Sequence, residues 1–418
     1  FIERDELRIE ANDGVHQTHE IVAIGSVEFK KIPLTSEYFT LGTTDEENDT
    51  IMGWSQAVID NPSKLSDFNS MDFSNQDEIK YINGECYFAS IFKDEFYYLY
   101  NLFDYWDPQK IDFGNLIFKD NNAGYTGSYL FAGDGEYLTD LSSLIILDFN
   151  NSKFASTSTH SSAYQTFSYA NISALSHLNL KNATFAVENA SSLTYTAEQT
   201  FVNSILSGLK YLDLSTTKFA VDNTNSNYSI STACDTFAST NLSELTTLNM
   251  SNAIFCGANM IDSTINTSKI VTTADATFKN AILSNLNTLD MTNSIFAAVT
   301  YAGASPIVSV RTGYQTFEES NLSKLSVLDL SKTVVAVNGM GTTLLTGNRP
   351  LVNTFDDNTQ LSNLNDIFLP KSDNPQPYNW YQSFASHSVD DSFIIHGYEA
   401  CPNWFNANWW NGATWSLD

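Results

Sequence analysis

The chain has 418 residues, 42% of them hydrophobic, which is enough to bury a large core. Charge is scarce (16%) and one-sided: 48 Asp and Glu against 20 Lys and Arg give a net charge of −28. That balance repels phosphate backbones, which excludes nucleic acid as a partner, and it disfavours anionic membrane surfaces.

No stretch reaches the about 20 apolar residues of a membrane span, so no membrane insertion is expected of this segment. Polarity comes mainly from Ser, Thr and Asn, beside 20 Tyr, 28 Phe and 7 Trp. This is the balance of secreted and surface proteins, so an extracellular or cell-surface location is expected. Beginning at Phe1 rather than Met, the chain reads as a processed or partial product.

Residues 1–49 carry alternating runs, Leu7-Arg-Ile-Glu-Ala and Glu20-Ile-Val-Ala-Ile-Gly-Ser-Val-Glu-Phe, which predict strands in a β-rich N-terminal cap or a small module. From residue 50 to 370 one pattern recurs. Leu206-Ser-Gly-Leu209-Lys-Tyr-Leu212-Asp-Leu214 aligns with Leu242, Leu245, Leu248 and Met250, with Leu283, Leu286, Leu289 and Met291, and with Leu322, Leu325, Leu328 and Leu330. Taking the last apolar position as marker, copies end at Phe73, Phe113, Phe149, Leu180, Leu214, Met250, Met291, Leu330 and Leu369. Nine copies at such a period predict a solenoid, in which each unit buries its apolar face against its neighbours.

Within a copy the Leu-x-Leu step predicts a short strand with alternate side chains inward. Thirteen residues before the marker stands Phe167, Phe201, Phe237, Phe278 or Phe317. Five residues earlier comes Ser162, Thr196, Thr232, Thr273 or Thr312, followed three later by Gln165, Gln199, Asp235, Ala276 or Gln315. Ser/Thr with Gln at +3 is the capping-box pattern, so a short capped helix burying its Phe is expected in each copy. A second aromatic follows the marker at Phe154, Phe185, Phe219, Phe255 and Phe296, with Val335 in the next copy. A polar segment of variable length then leads to a β-rich run such as Tyr228-Ser-Ile-Ser or Ile270-Val-Thr-Thr, read as a second strand. The expected fold is therefore an α/β solenoid of about nine long repeats. The pattern stops after Pro370, and residues 371–418, with Trp380, Trp404, Trp409, Trp410 and Trp415, read as an aromatic-rich C-terminal cap.

At the Phe and Leu-x-x-Leu-x-Leu positions the chain resembles the BspA-like leucine-rich repeat surface proteins. The last copy is nearest, with Thr354-Phe355 followed by Leu364-Asn-Asp-Ile367-Phe-Leu369-Pro370. The resemblance covers roughly residues 50–370 and implies a leucine-rich repeat fold and adhesion to matrix, partner cells or other proteins. The repeats here are longer than that family's unit, and the strand-ending Pro appears only at Pro370.

Candidate site residues follow from the period. Asp148, Asp213, Asp290 and Asp329 lie between inward positions of their strands and so point outward, as a ladder of carboxylates that could face a ligand. Trp409 and Trp410 could stack on sugars, against the plainer role of sealing the core. Among ten Asn-x-Ser/Thr sequons, Asn171, Asn241 and Asn321 share one repeat position and are candidate glycosylation sites. Cys234 and Cys256 fall in one copy and could form a disulfide, the other reading being two buried thiols. His16 and His19 are three apart, a spacing that does not gather two metal ligands. The acidic runs Asp45–Asp49 and Asp356-Asp357-Asn358 lack calcium-loop spacing. With no nucleophile elbow, Ser-His-Asp set or phosphate loop, no enzyme activity and no cofactor are expected. The expected function is a non-enzymatic surface protein that binds a protein or glycan ligand. The alternative is a structural subunit of a surface layer, sheath or filament that binds copies of itself.

Overall fold

The computed structural model describes residues 6–12, 17–23, 28–41, 50–72, 86–89, 106–119, 125–127, 131–133, 138–156, 161–188, 194–222, 230–256, 269–298, 308–337, 349–350, 354–355, 359–368 and 394–396. Three sheets of mainly parallel strands dominate them, and the central copies contribute one short strand to each. The first, here the leucine sheet, joins Ser70–Asp72, Lys110–Asp112, Ile146–Asp148, His177–Asn179, Tyr211–Asp213, Thr247–Asn249 and Thr288–Asp290. Its register runs Leu147, Leu178, Leu212, Leu248, Leu289, and each of these side chains is buried. In His177–Asn179, Tyr211–Asp213, Thr247–Asn249 and Thr288–Asp290 the middle residue alone is buried, because side chains alternate between the two faces of a strand. Val327–Asp329, Asp366–Phe368 and Ile394–His396 make a further three-stranded sheet, pairing Leu328 with Ile367.

The second, the phenylalanine sheet, has ten strands, from Phe39–Leu41 and Thr50–Trp54 through Lys153–Ser156, Thr184–Glu188, Lys218–Asp222, Ile254–Cys256 and Ile295–Ala298 to Val334–Val337. Phe154, Phe185, Phe219, Phe255 and Phe296 are register partners, and Val335 takes the next place. The third sheet runs from Tyr125–Thr126 through Ser161–Ser162, Thr194–Thr196, Ile230–Thr232, Lys269–Thr273 and Val308–Thr312 to Arg349–Pro350. Between the second and third strands of a copy lie the polar connections at 157–160, 189–193, 223–229, 257–268, 299–307 and 338–348. Their lengths in the sequence differ threefold, while the strands on either side keep register.

The capped helix expected in each copy is replaced by a bent arc. Among the described residues the α-helix is limited to Gln56–Asp60, with a 3-10 turn at Pro62–Leu65. In the arc Ala197, Gln199 and Asn203 have φ of +51°, +54° and +56°, and Ala233, Asp235 and Ser239 repeat this at +53°, +50° and +53°. A right-handed helix cannot pass through such residues. The arc's N–H groups therefore pair with the next copy instead: Phe201 N donates to the Thr236 carbonyl at 2.7 Å, and Phe237 N to Thr277 at 2.7 Å. The threonine before each Phe ties the copies from inside. Thr200 Oγ1 donates to the Ala163 carbonyl (2.8 Å), Thr236 to Ala197 (2.9 Å), Thr277 to Ala233 (3.0 Å) and Thr316 to Ala274 (2.9 Å).

Two aromatic files fill the core. Phe131, Phe167, Phe201, Phe237, Phe278, Phe317 and Phe355 stack with centroids 5.1–5.5 Å apart. Phe118, Phe154, Phe185, Phe219, Phe255 and Phe296 form the other file at 4.0–5.1 Å. The expected burial of both Phe positions is thus met by strands and arcs, without helices. On the N-terminal side Glu6–Asn12 and Gln17–Ala23 pair antiparallel. Phe39–Leu41 pairs antiparallel with Thr50–Trp54, and Phe39 stacks on Trp54 (5.0 Å), which meets Trp106 edge-on (5.6 Å). Among the described residues no helix is long and apolar enough to cross a membrane.

Candidate binding face

The outer face of the leucine sheet collects chemistry in two files. The last residue of each strand is Asp72, Asp112, Asp148, Asn179, Asp213, Asn249 and Asp290, with Asp329 in the same place of the next copy. Asp148, Asp213, Asp290 and Asp329 thus stand in one line, with two asparagines between them. Each fixes its own turn: Oδ1 of Asp148, Asp213, Asp290 and Asp329 accepts the N–H two residues on at 2.6, 2.8, 2.8 and 2.8 Å. Asn179 and Asn249 make the same Asx turn at 3.1 and 2.9 Å. Their amides reach back along the file, Asn179 Nδ2 donating to Asp148 Oδ2 (3.3 Å) and Asn249 Nδ2 to Asp213 Oδ1 (3.2 Å). An amide beside a carboxylate turns a like-charge contact into a hydrogen bond.

The first strand position supplies the second file: Lys110, Ile146, His177, Tyr211, Thr247, Thr288 and Val327. Lys110 Nζ lies 3.4 Å from Asp112 and 3.7 Å from Asp72. Burial pushes the Asp112 carboxyl up, against the Gly114 N–H that it accepts. Burial also pulls His177 down, although Asp148 and Asp213 favour its charged form. Among the described residues no Lys, Arg or His ion-pairs with Asp148, Asp213, Asp290 or Asp329.

A third group links strands of the third sheet to the arcs that follow them. Ser161 Oγ donates to Glu198 Oε2 (2.7 Å) and Ser231 Oγ to Asp275 Oδ2 (2.8 Å). Burial, with Asp235 nearby, raises Glu198 to about 7. Tyr195 is pushed to about 12, first by burial and then by surrounding acidic groups. Lys279 bridges Glu318 at 2.7 Å, which raises it despite burial.

Asn171, Asn241 and Asn321 are half-buried at one position of the fold, in bridges with Ile205, Ile282 and Gln360. Oδ1 of Asn241 and of Asn321 accepts the N–H of Ser243 and of Ser323 at 3.1 Å, so these residues shape the turn before Leu245 and Leu325. Cys234 is a buried free thiol in the arc, pushed well up by burial, and its S–H points at Asp235 (3.5 Å). It is therefore not joined to Cys256, which ends a strand of the phenylalanine sheet. Trp409, Trp410, His16 and both acidic runs lie outside the described residues. Among the described residues no group of three or more His, Cys, Asp or Glu is placed to hold a metal ion.

Sequence reasoning named Asp148, Asp213, Asp290 and Asp329 for this face but not Asp72, Asp112, Asn179, Asn249, His177 and Tyr211. The missed signal was positional: each stands where another copy has an Asp or a Thr. No family model, curated protein or solved structure matches the chain.

Proposed function

We propose that the chain is a β-rich repeat solenoid of the extracellular or cell-surface kind, without enzyme activity, that binds a protein or glycan ligand on the outer face of its leucine sheet. The observation that carries this reading is the fixed line of Asp148, Asn179, Asp213, Asn249, Asp290 and Asp329, held by Asx turns in successive copies. Such a line is preorganised, so a ligand meets oxygens and amides that need no ordering on binding. Periodicity favours a binding surface over an active site, because a catalytic group would break the repeat.

The test is binding of the intact chain to arrayed peptides and glycans. Asn is native at this position in two copies, so changing Asp148, Asp213, Asp290 and Asp329 together to Asn preserves the turns. The expected result is a ligand whose affinity drops at least tenfold in that variant. Ligands that bind both proteins equally place recognition elsewhere and overturn the reading.

A further inference from the structure

We propose that the arcs 196–201 and 232–237 form a pH-sensitive latch between neighbouring copies, closed while the Glu198 carboxyl keeps its proton and opened when it ionises beside Asp235. The device stands apart from the leucine-sheet face and does not rest on any ligand. It begins with strain. Gly127, Ala163, Ala197, Ala233, Ala274 and Gly313 hold one arc position in successive copies, with φ between +51° and +65°. Glycine adopts that conformation freely, whereas alanine does so only under strain. The left-handed region recurs two residues on, at Gln165, Gln199, Asp235 and Ala276. Such arcs stay closed through their bonds to the next copy. Gln165 N donates to the Glu198 carbonyl, Gln199 N to that of Cys234 and Asp235 N to that of Asp275, each at 2.9 Å. Residues 198, 234 and 275 thus supply the acceptors that join copies, and their side chains ride on those bonds.

Those side chains place acidic hydrogens and carboxylates side by side. Glu198 Oε2 accepts from Ser161 Oγ one copy back, and Asp275 Oδ2 accepts from Ser231 Oγ. Between them the buried Cys234 thiol donates to Asp235 Oδ2. Around Glu198 stand Ser161 and Tyr164 of the preceding copy, Tyr195 of its own strand, and Cys234 and Asp235 of the next, with Asp275 and Lys279 a copy further. Lys279 attracts Asp235 but is joined to Glu318 at 2.7 Å, and among the described residues no cation ion-pairs with Glu198. A half-buried carboxyl beside a second one, with no cation, favours the neutral acid. Burial first, and then Asp235, hold Glu198 up to about 7 against the Ser161 bond, which favours the ionised form. Water in an open arc restores its ordinary 4.5. Opening therefore becomes easier as pH rises, by about tenfold for each pH unit crossed between those values, and levels off above them.

The experiment is amide hydrogen exchange of the intact chain from pH 5 to pH 8, each rate divided by the intrinsic rate of that amide at that pH. For Gln165, Gln199 and Phe201 the open fraction is expected to rise at least tenfold across the range. Phe317, whose N–H donates to Thr354 in an arc remote from Glu198, should hold constant. Glu198→Gln keeps an acceptor for Ser161 without a titrating proton, and should leave the arcs closed at every pH. Asp235→Asn removes the neighbouring charge, with a residue that tolerates left-handed backbone, and should move the midpoint of opening to lower pH. No rise at the three amides, an equal rise at Phe317, or a rise that persists in Glu198→Gln would overturn the latch. A midpoint left in place by Asp235→Asn would overturn the pairing it is built on, and that measurement decides alone where Glu198→Gln does not fold.

Discussion

Single residues in this chain are chosen by backbone conformation as much as by packing. Asn151, Asn182, Asn252 and Asn293 follow their strands at φ of +58°, +57°, +56° and +55°, the region that asparagine tolerates better than other side-chain-bearing residues. Asn182 Nδ2 then donates to Asn151 Oδ1 (3.0 Å), and Asn151 to Asn115 (3.1 Å), so a turn requirement becomes a ladder. Outward placement of Asp148 and Asp213 was legible from strand alternation alone. The role of Gln199 was not, because its spacing from Thr196 fits a capping box equally well until its φ is known. Titration is also a residue-scale matter. Glu198 holds its proton in the fold to about pH 7, whereas its ordinary value is 4.5. Between those values the folded chain binds more protons than the unfolded one, so stability falls as pH rises from 4.5 through 7 and levels off above. The loss is on the order of 3 kcal/mol. His177 acts with the opposite sign: burial holds it below 6.5, so it costs stability as pH falls. Glu198→Gln is expected to raise the melting temperature at pH 8 and to narrow the difference between pH 5 and pH 8. Parallel melting profiles for the two proteins would refute this.

At the scale of the element, the three strands and the arc divide the work. Strands of the central leucine sheet bury one leucine each, those of the other two sheets bury more, and all hand their hydrogen bonds to the neighbouring copy, as the arc does through left-handed residues. This explains why local pattern misled: helix and arc both bury one Phe and both begin at a hydroxyl residue, and they differ only in where the N–H groups go. The inward positions themselves, from Leu212 to Phe237, were legible because burial does not depend on that choice. Phe237 shows how much a single inward position contributes. It lies 5.1 Å from both Phe201 and Phe278, with interplanar angles of 3°. Removing it deletes a fully buried ring and breaks the file between two neighbours. Phe237→Ala is expected to cost about 3–5 kcal/mol, read as a lowered urea midpoint. Phe237→Leu should recover part of that loss. A midpoint within error of the parent's would show that the file does not carry the core.

The whole molecule sets packing against charge. Registered copies give continuous aromatic files and threonine ladders, all of which favour the stacked arrangement. The same registration brings Asp72, Asp112 and Asp148 onto adjacent strands, about 4.8 Å apart by ordinary strand spacing. Lys110 neutralises part of the first two, and Asn179 and Asn249 interrupt the line further on. These interruptions were legible only as departures from the Asp pattern, since nothing in one copy announces what the next will place beside it. What remains is an array of net charge −28 whose carboxylates along this line stand about 5–10 Å apart, well inside the Debye length of about 30 Å at 0.01 M and comparable with the about 8 Å at physiological salt. Self-repulsion destabilises a compact state more than an expanded one. Raising NaCl from about 0.01 to 0.15 M should therefore raise the melting temperature. Asp213→Asn with Asp290→Asn should be more stable than the parent at low salt and should respond less to added salt. The check is a thermal melt of both proteins across that range. If neither responds to salt, or if the Asn pair is the less stable, the carboxylate line contributes to folding through its Asx turns in a way that asparagine cannot replace. In that case the two native asparagines would be the exception in the line and not its relief.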